Sequence, residues 1–177
     1  MNFTLRTTKN ILSATVIAAL LFAGGSSACA TEQPRAASVN QPRETTTVGL
    51  IEIPAVGLAT RVLEGSNAST LRLAVGHIPG TALPGTSGNV GLAGHRDTFF
   101  RSLRRIKVGD DIRLTTSAGT FKYRVISLSV VLPDAIEVLN DTKSPTLTLV
   151  TCYPFDFAGT APQRLIVHAE MVRSSPN

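Results

Sequence analysis

From Val48 onward the apolar residues come in short runs, each closed by glycine, proline or a polar cluster. "VGLIEIP", Val48–Pro54, reads as a strand, stopped where proline removes the backbone N–H that a ladder needs. "AVGLATRVLEG" reads as a second strand with glycine towards each end. Leu71 to Val75 fits a short strand or a helical turn. "HIPGTALPGTSGN" is dense in glycine and proline and predicts a loop. "VGLAGH" predicts a buried strand running into His95. In "DTFFRSLRRIKVGD", Phe99, Leu103 and Ile106 fall at helical spacing, which predicts a short helix with Asp97 as N-cap and Gly109-Asp110 ending it. "DIRLTT" and "TFKYRVISLSVVL" flank Ser117-Ala118-Gly119 as the arms of a hairpin. Phe121, Tyr123 and Val125 alternate there with Lys122 and Arg124, giving one buried and one wet face. "DAIEVLN" predicts a helical turn, and "TLTLVTC" and "QRLIVHAEMV" predict the closing strands.

These runs make about eight strands with one or two short helices. No amphipathic helix is long enough for the crossovers of a parallel α/β sheet. An all-β fold, a closed or nearly closed β-barrel, is the natural way to bury strands this apolar.

The N-terminal pattern is different. Arg6 and Lys9 precede a segment without charge from Asn10 to Thr31, strongly apolar from Ile11 to Ala23. That length suits a signal-peptide core better than a full bilayer span. Ala28-Cys29-Ala30 matches a cleavage site. The same segment can stay uncut as a signal anchor, or Cys29 can carry a lipid. All three readings place the rest of the chain outside the cytoplasmic membrane. Residues 31–47, with Pro34 and Pro42 and little apolar content, read as a polar linker. The folded domain is expected at 48–173, with 174–177 as a tail. The 177-residue chain carries a formal charge of +5, but no Lys/Arg run interleaved with aromatics argues for nucleic acid. A basic face suits an acidic cell envelope equally well.

Chemistry concentrates at Cys152. With Cys29 removed or held at the membrane, Cys152 is a lone thiol in an exported domain, where a strand meets the loop "YPFDFAGTAPQ". Core filler is the bland alternative. A thiol attacking a carbonyl needs a proton manager and a group to hold the oxyanion. His95 ends a buried strand beside a glycine. His77 opens the Gly/Pro loop, and His168 lies inside the last strand, where a structural role is expected. No Cys or His pair has zinc-ligand spacing. Arg164 begins the last strand. If that strand neighbours the one ending at Cys152, its guanidinium returns beside the thiol and can stabilise an oxyanion by charge-assisted hydrogen bonds.

Thr148-Leu149-Val150-Thr151-Cys152 resembles the Thr-Leu-x-Thr-Cys signature of sortases, the cysteine transpeptidases of bacterial envelopes. "GLAGHRDTFFRSL" resembles the segment that holds the sortase histidine, and "QRLIVHAEMV" the final strand with the sortase arginine. "VGLIEIPAVGL" and "GHIPGTALPG" resemble the opening strands and the loop before the histidine strand. The resemblance covers about Val48 to Val172 and is nearest to class D or the related class E. It implies a sortase-like barrel with Cys152, His95 and Arg164 catalytic, meeting at one mouth of the barrel, and Thr151 and Arg164 contacting substrate. It implies protein substrates with a Leu-Pro-x-Thr-Gly-like C-terminal sorting signal, and transfer through a thioacyl-enzyme to an amine of peptidoglycan or a pilin. It implies membrane association through the N-terminal segment and demands no cofactor. Calcium assists some sortases, but no carboxylate cluster here predicts a site. Two readings stand beside it: an exported cysteine peptidase with water as acceptor, and a non-enzymatic secreted β-barrel binding module with a buried cysteine.

Overall fold

The computed structural model describes residues 46–172. The expected signal or anchor segment, Cys29, the linker up to residue 45 and the C-terminal tail lie outside them. Eight strands form one closed barrel: β1 (Thr47–Ile53), β2 (Leu58–Glu64), β3 (Val75–His77), β4 (Asn89–Ala93), β5 (Asp111–Thr116), β6 (Gly119–Val131), β7 (Thr146–Tyr153) and β8 (Gln163–Met171). Their order around the barrel is β1-β2-β3-β4-β7-β8-β6-β5, closed by the antiparallel β1/β5 pair through Ile51↔Leu114. Two neighbouring pairs are parallel, β2/β3 and β4/β7. The second matters most, because it joins two distant parts of the chain.

Among the described residues, helical structure is limited to one short α-helix, α1 (Ala68–Leu73), and three 3-10 turns at Pro54–Val56, Arg101–Arg105 and Ile136–Leu139. Thus Leu71–Leu73 closes a helix, while Val75 opens β3. The helix starts at Asn67, whose side chain accepts from the Thr70 N–H at 3.0 Å. The helix expected after Asp97 is a single 3-10 segment, and Asp97 does not cap it: the turn begins after Phe100 with no side-chain cap. Its stop is also earlier than Gly109, at Ile106.

The barrel interior is apolar. Ile51, Ile53, Val62, Leu92, Ile112, Tyr123, Leu147, Leu149 and Val167 point inward and are essentially solvent-free. Each such aliphatic side chain contributes about 1.5–3 kcal/mol by leaving water. Phe100 and Leu103, from the connection after β4, join this core from the barrel end. The period-two rule then assigns faces along the strands that matter for function. On β4, Val90 and Leu92 face in. On β7, Leu147 and Leu149 face in, and on β8, Leu165, Val167 and Ala169 do so. Asn89, Gly91 and Ala93 on β4, Thr148, Val150 and Cys152 on β7, and Arg164, Ile166 and His168 on β8 therefore share the outer face.

Candidate functional site

Three neighbouring strands build the site. Cys152 on β7 is the direct cross-strand partner of Arg164 on β8. In an antiparallel sheet such partners point to the same face, with Cβ atoms about 4.5–5.5 Å apart. On the other side of β7 the parallel ladder with β4 runs through Leu92↔Leu149 and Ala93↔Val150. It continues past the end of β4, where the Gly94 N–H donates to the Val150 carbonyl at 3.2 Å and the Thr151 hydroxyl donates to the Gly94 carbonyl at 2.8 Å. Cys152 and Arg164 are thus paired across β7 and β8, and His95 follows the glycine that is tied to β7 just past the end of β4. Cys152 and Arg164 lie on the outer face, at the ends of β7 and β8. The reason is the alternation itself: Thr151 takes the inward direction, so Cys152 must take the outward one.

His95 is exposed, yet its backbone is held on both sides. Its carbonyl accepts from the Phe100 N–H at 3.0 Å, closing a turn, and the preceding Gly94 is tied to β7 through both its N–H and its carbonyl. Gly94 is required here for space. A Cβ at that position would meet three atoms of the buried Phe100 ring at 2.7–3.0 Å. Cys152 is a free thiol of intermediate exposure, so it is neither sealed in the core nor fully open. Arg164, also half-buried, folds its Nη1 back onto the carbonyls of Gln163 at 2.8 Å and Ala161 at 3.1 Å. Both bonds use the same nitrogen.

Thr151, expected to contact substrate, turns its side chain inward. It is 2% exposed, and its hydroxyl is spent on the Gly94 carbonyl. Its side chain ties β7 to the turn carrying His95.

The other two histidines are occupied. His77 is buried at the end of β3. Its Nδ1 lies 2.9 Å from Glu64 Oε2, and its Nε2 faces the Ala82 carbonyl and the Thr81 hydroxyl. His168 shares the outer face with Cys152 but stands two rows away. The Thr148 hydroxyl donates to Asn89 Oδ1 at 2.8 Å, so His168 Nδ1, 3.0 Å away, is the donor in the second bond. Burial lowers the His168 pKa below the usual imidazole value. Both histidines are structural in this geometry. Among the described residues no group of three or more His, Cys, Asp or Glu side chains gathers as a metal site.

Sequence reasoning passed over Arg96. It follows the exposed His95 but is only 7% exposed, and its guanidinium reaches the carbonyls of Pro154, Phe157 and Gly159. A charged residue in "GHRD" carries no pattern signal that it turns inward.

A family profile described as "Sortase domain" matches residues 51–172. The chain is 33% identical over 143 residues to Sortase D of Bacillus subtilis, covering 80% of this chain and 72% of that protein. Among solved structures it resembles a Clostridium perfringens Sortase D5 transpeptidase, with TM-score 0.66 and 34% identity over 72% of this chain and 79% of that one. It also resembles Sortase A from Corynebacterium diphtheriae, with TM-score 0.69 and 32% identity over 76% of this chain and 64% of that one.

Proposed function

The chain belongs to the sortase family of cysteine transpeptidases, with class D-like character, and we propose that it cleaves a Leu-Pro-x-Thr-Gly-like sorting signal and joins the released protein to an amine of the cell envelope or a pilin. The observation that supports this reading best is the cross-strand pairing of Cys152 with Arg164 on the outer face, with the turn that carries His95 tied to β7 through Gly94.

In the first half-reaction the Cys152 thiolate adds to the Thr carbonyl carbon of the signal. The developing oxyanion is held by Arg164, whose Nη2 and Nε are not used in its two carbonyl bonds. The C–N bond then breaks, and His95 protonates the departing Gly amine. This leaves a thioester on Cys152. In the second half-reaction His95 takes a proton from the incoming amine. The amine adds to the thioester carbonyl, and the Cys152 thiolate leaves as the new amide forms. The half-buried Ala93 and Val150, one row behind the site, form an apolar floor for the Leu and Pro of the signal. The turn at Ile136–Leu139 packs one row further back, with Leu139 against Gly91 and the Val138 carbonyl beside the Thr148 hydroxyl. The partial exposure of Cys152 argues against a binding module with a sealed thiol.

Among the described residues no helix is long and apolar enough to cross a membrane. Residues 1–30 export the domain or anchor it, so that it works outside the cytoplasm.

The test uses the full chain with a Leu-Pro-x-Thr-Gly peptide, with and without an added amine. We expect cleavage, an amine-joined product and faster turnover with amine. Cys152→Ala should abolish both, and His95→Ala and Arg164→Ala should each lower turnover by about 100-fold or more. Cleavage with no amine-joined product would mark a peptidase, and full activity in Cys152→Ala would remove the enzymatic reading.

A further inference from the structure

The loop between β7 and β8 runs from Pro154 to Pro162 and separates Cys152 from Arg164 along the chain. Asp156 to Thr160 in this loop are all exposed, so packing does little to fix them. Its backbone carbonyls are instead divided between two arginines. Arg96 takes the first part: Nη1 donates to Pro154 O at 2.7 Å, and Nη2 donates to Phe157 O at 2.6 Å and Gly159 O at 3.1 Å. Arg164 takes Ala161 O near the end of the loop, together with Gln163 O at the start of β8. Arg96 is the residue next to His95, so the loop is tied to the histidine turn at one end and to the arginine at the other.

We infer that Arg96 is a positioning residue: by fixing the β7–β8 loop it sets where Arg164 stands relative to Cys152 and His95. This rests on the function proposed above. Three points support it. Burying a guanidinium is costly unless its donors are satisfied, and here three carbonyls satisfy them, with the Asp97 carboxylate 3.5 Å from Nε. The bonds span a loop bend that only a planar fork with several donors can bridge, which an ammonium cannot reproduce. The other side-chain tether from outside the loop, Arg104 to Asp156, is an exposed pair and weak.

The test compares wild type, Arg96→Lys and a control at the distant β5/β6 hairpin, Arg124→Ala. In Arg96→Lys we expect the turnover number for peptide cleavage to fall by at least about tenfold, as when a reacting group is misplaced by a fraction of an ångström. Alkylation of Cys152 by iodoacetamide, which needs only the thiol and the fold, should stay within about twofold of wild type. Amide exchange in residues 155–162 should speed up by about tenfold or more while the strands remain protected. Arg124→Ala should behave as wild type in all three. Wild-type turnover and loop protection in Arg96→Lys would overturn the inference, as would equal losses of turnover and alkylation, which mean simple unfolding. If wild type itself fails to cleave the peptide, the proposed function fails. Loop exchange then decides the clamp separately, and unchanged protection in Arg96→Lys sinks that too.

Discussion

Thr151→Val separates two roles for the threonine that precedes the cysteine. Valine keeps the shape of threonine but removes the hydroxyl that donates to the Gly94 carbonyl at 2.8 Å. Residue 151 is 2% exposed, so no water replaces that donor easily. A buried carbonyl left without its partner costs about 1–3 kcal/mol. For a domain of roughly 130 residues, with about 2.1 cal/mol/K of unfolding entropy per residue, this corresponds to a fall in Tm of about 4–11 °C. The same bond anchors the turn before His95, so turnover should fall together with stability while the KM for the sorting peptide changes little. Thr151→Ser keeps the hydroxyl and should recover most of the Tm loss. The assay is thermal unfolding by circular dichroism beside steady-state peptide cleavage. A Thr151→Val protein with wild-type Tm and a raised KM would refute the reasoning, because it would mean that the hydroxyl meets substrate and not Gly94.

Gly94→Ala should destabilise by about 1–3 kcal/mol in urea titration, since the added methyl has to displace the buried Phe100 ring; unchanged stability would mean that the ring moves freely. Leu149→Ala, in the barrel centre, should cost about 2–5 kcal/mol in the same titration, and a loss below about 1 kcal/mol would contradict a close-packed interior. His168 has a folded pKa held below its unfolded value of about 6.5 by burial. The unfolded chain therefore takes up a proton that the folded one resists, and stability is lost as pH falls below about 6.5 towards the folded pKa. His168→Gln should flatten the stability-against-pH curve in that window, measured by urea midpoints, and an unaltered slope would show that His168 does not titrate differently on folding.

The strands were legible because their alternation is strong. Phe121, Tyr123 and Val125 face in along β6 as their spacing with Lys122 and Arg124 demands. Further along β6 the phase breaks at a bulge between Val125 and Ser127, which period-two reading cannot see. β3 was hidden because three buried residues are too few to show a period. The Cys152–Arg164 pairing follows from two strands adjacent in sequence. The placement of the His95 turn beside β7 does not: it depends on a parallel pairing of β4 with β7, made across more than fifty intervening residues. The family resemblance supplied His95; periodicity did not. Arg96 and the inward direction of Thr151 were out of reach, since burial of a polar side chain is decided by which carbonyl it meets in three dimensions.

A covalent acyl group on one sulfur is the event on which the proposed chemistry depends. Acid-quenched mixtures of the full chain with a Leu-Pro-x-Thr-Gly peptide, without added amine, should show by intact mass an adduct equal to the N-terminal fragment of the peptide. Digestion should map it to Cys152, and hydroxylamine should release it. An adduct on another residue, or cleavage that persists in Cys152→Ala with no adduct formed, would contradict that chemistry.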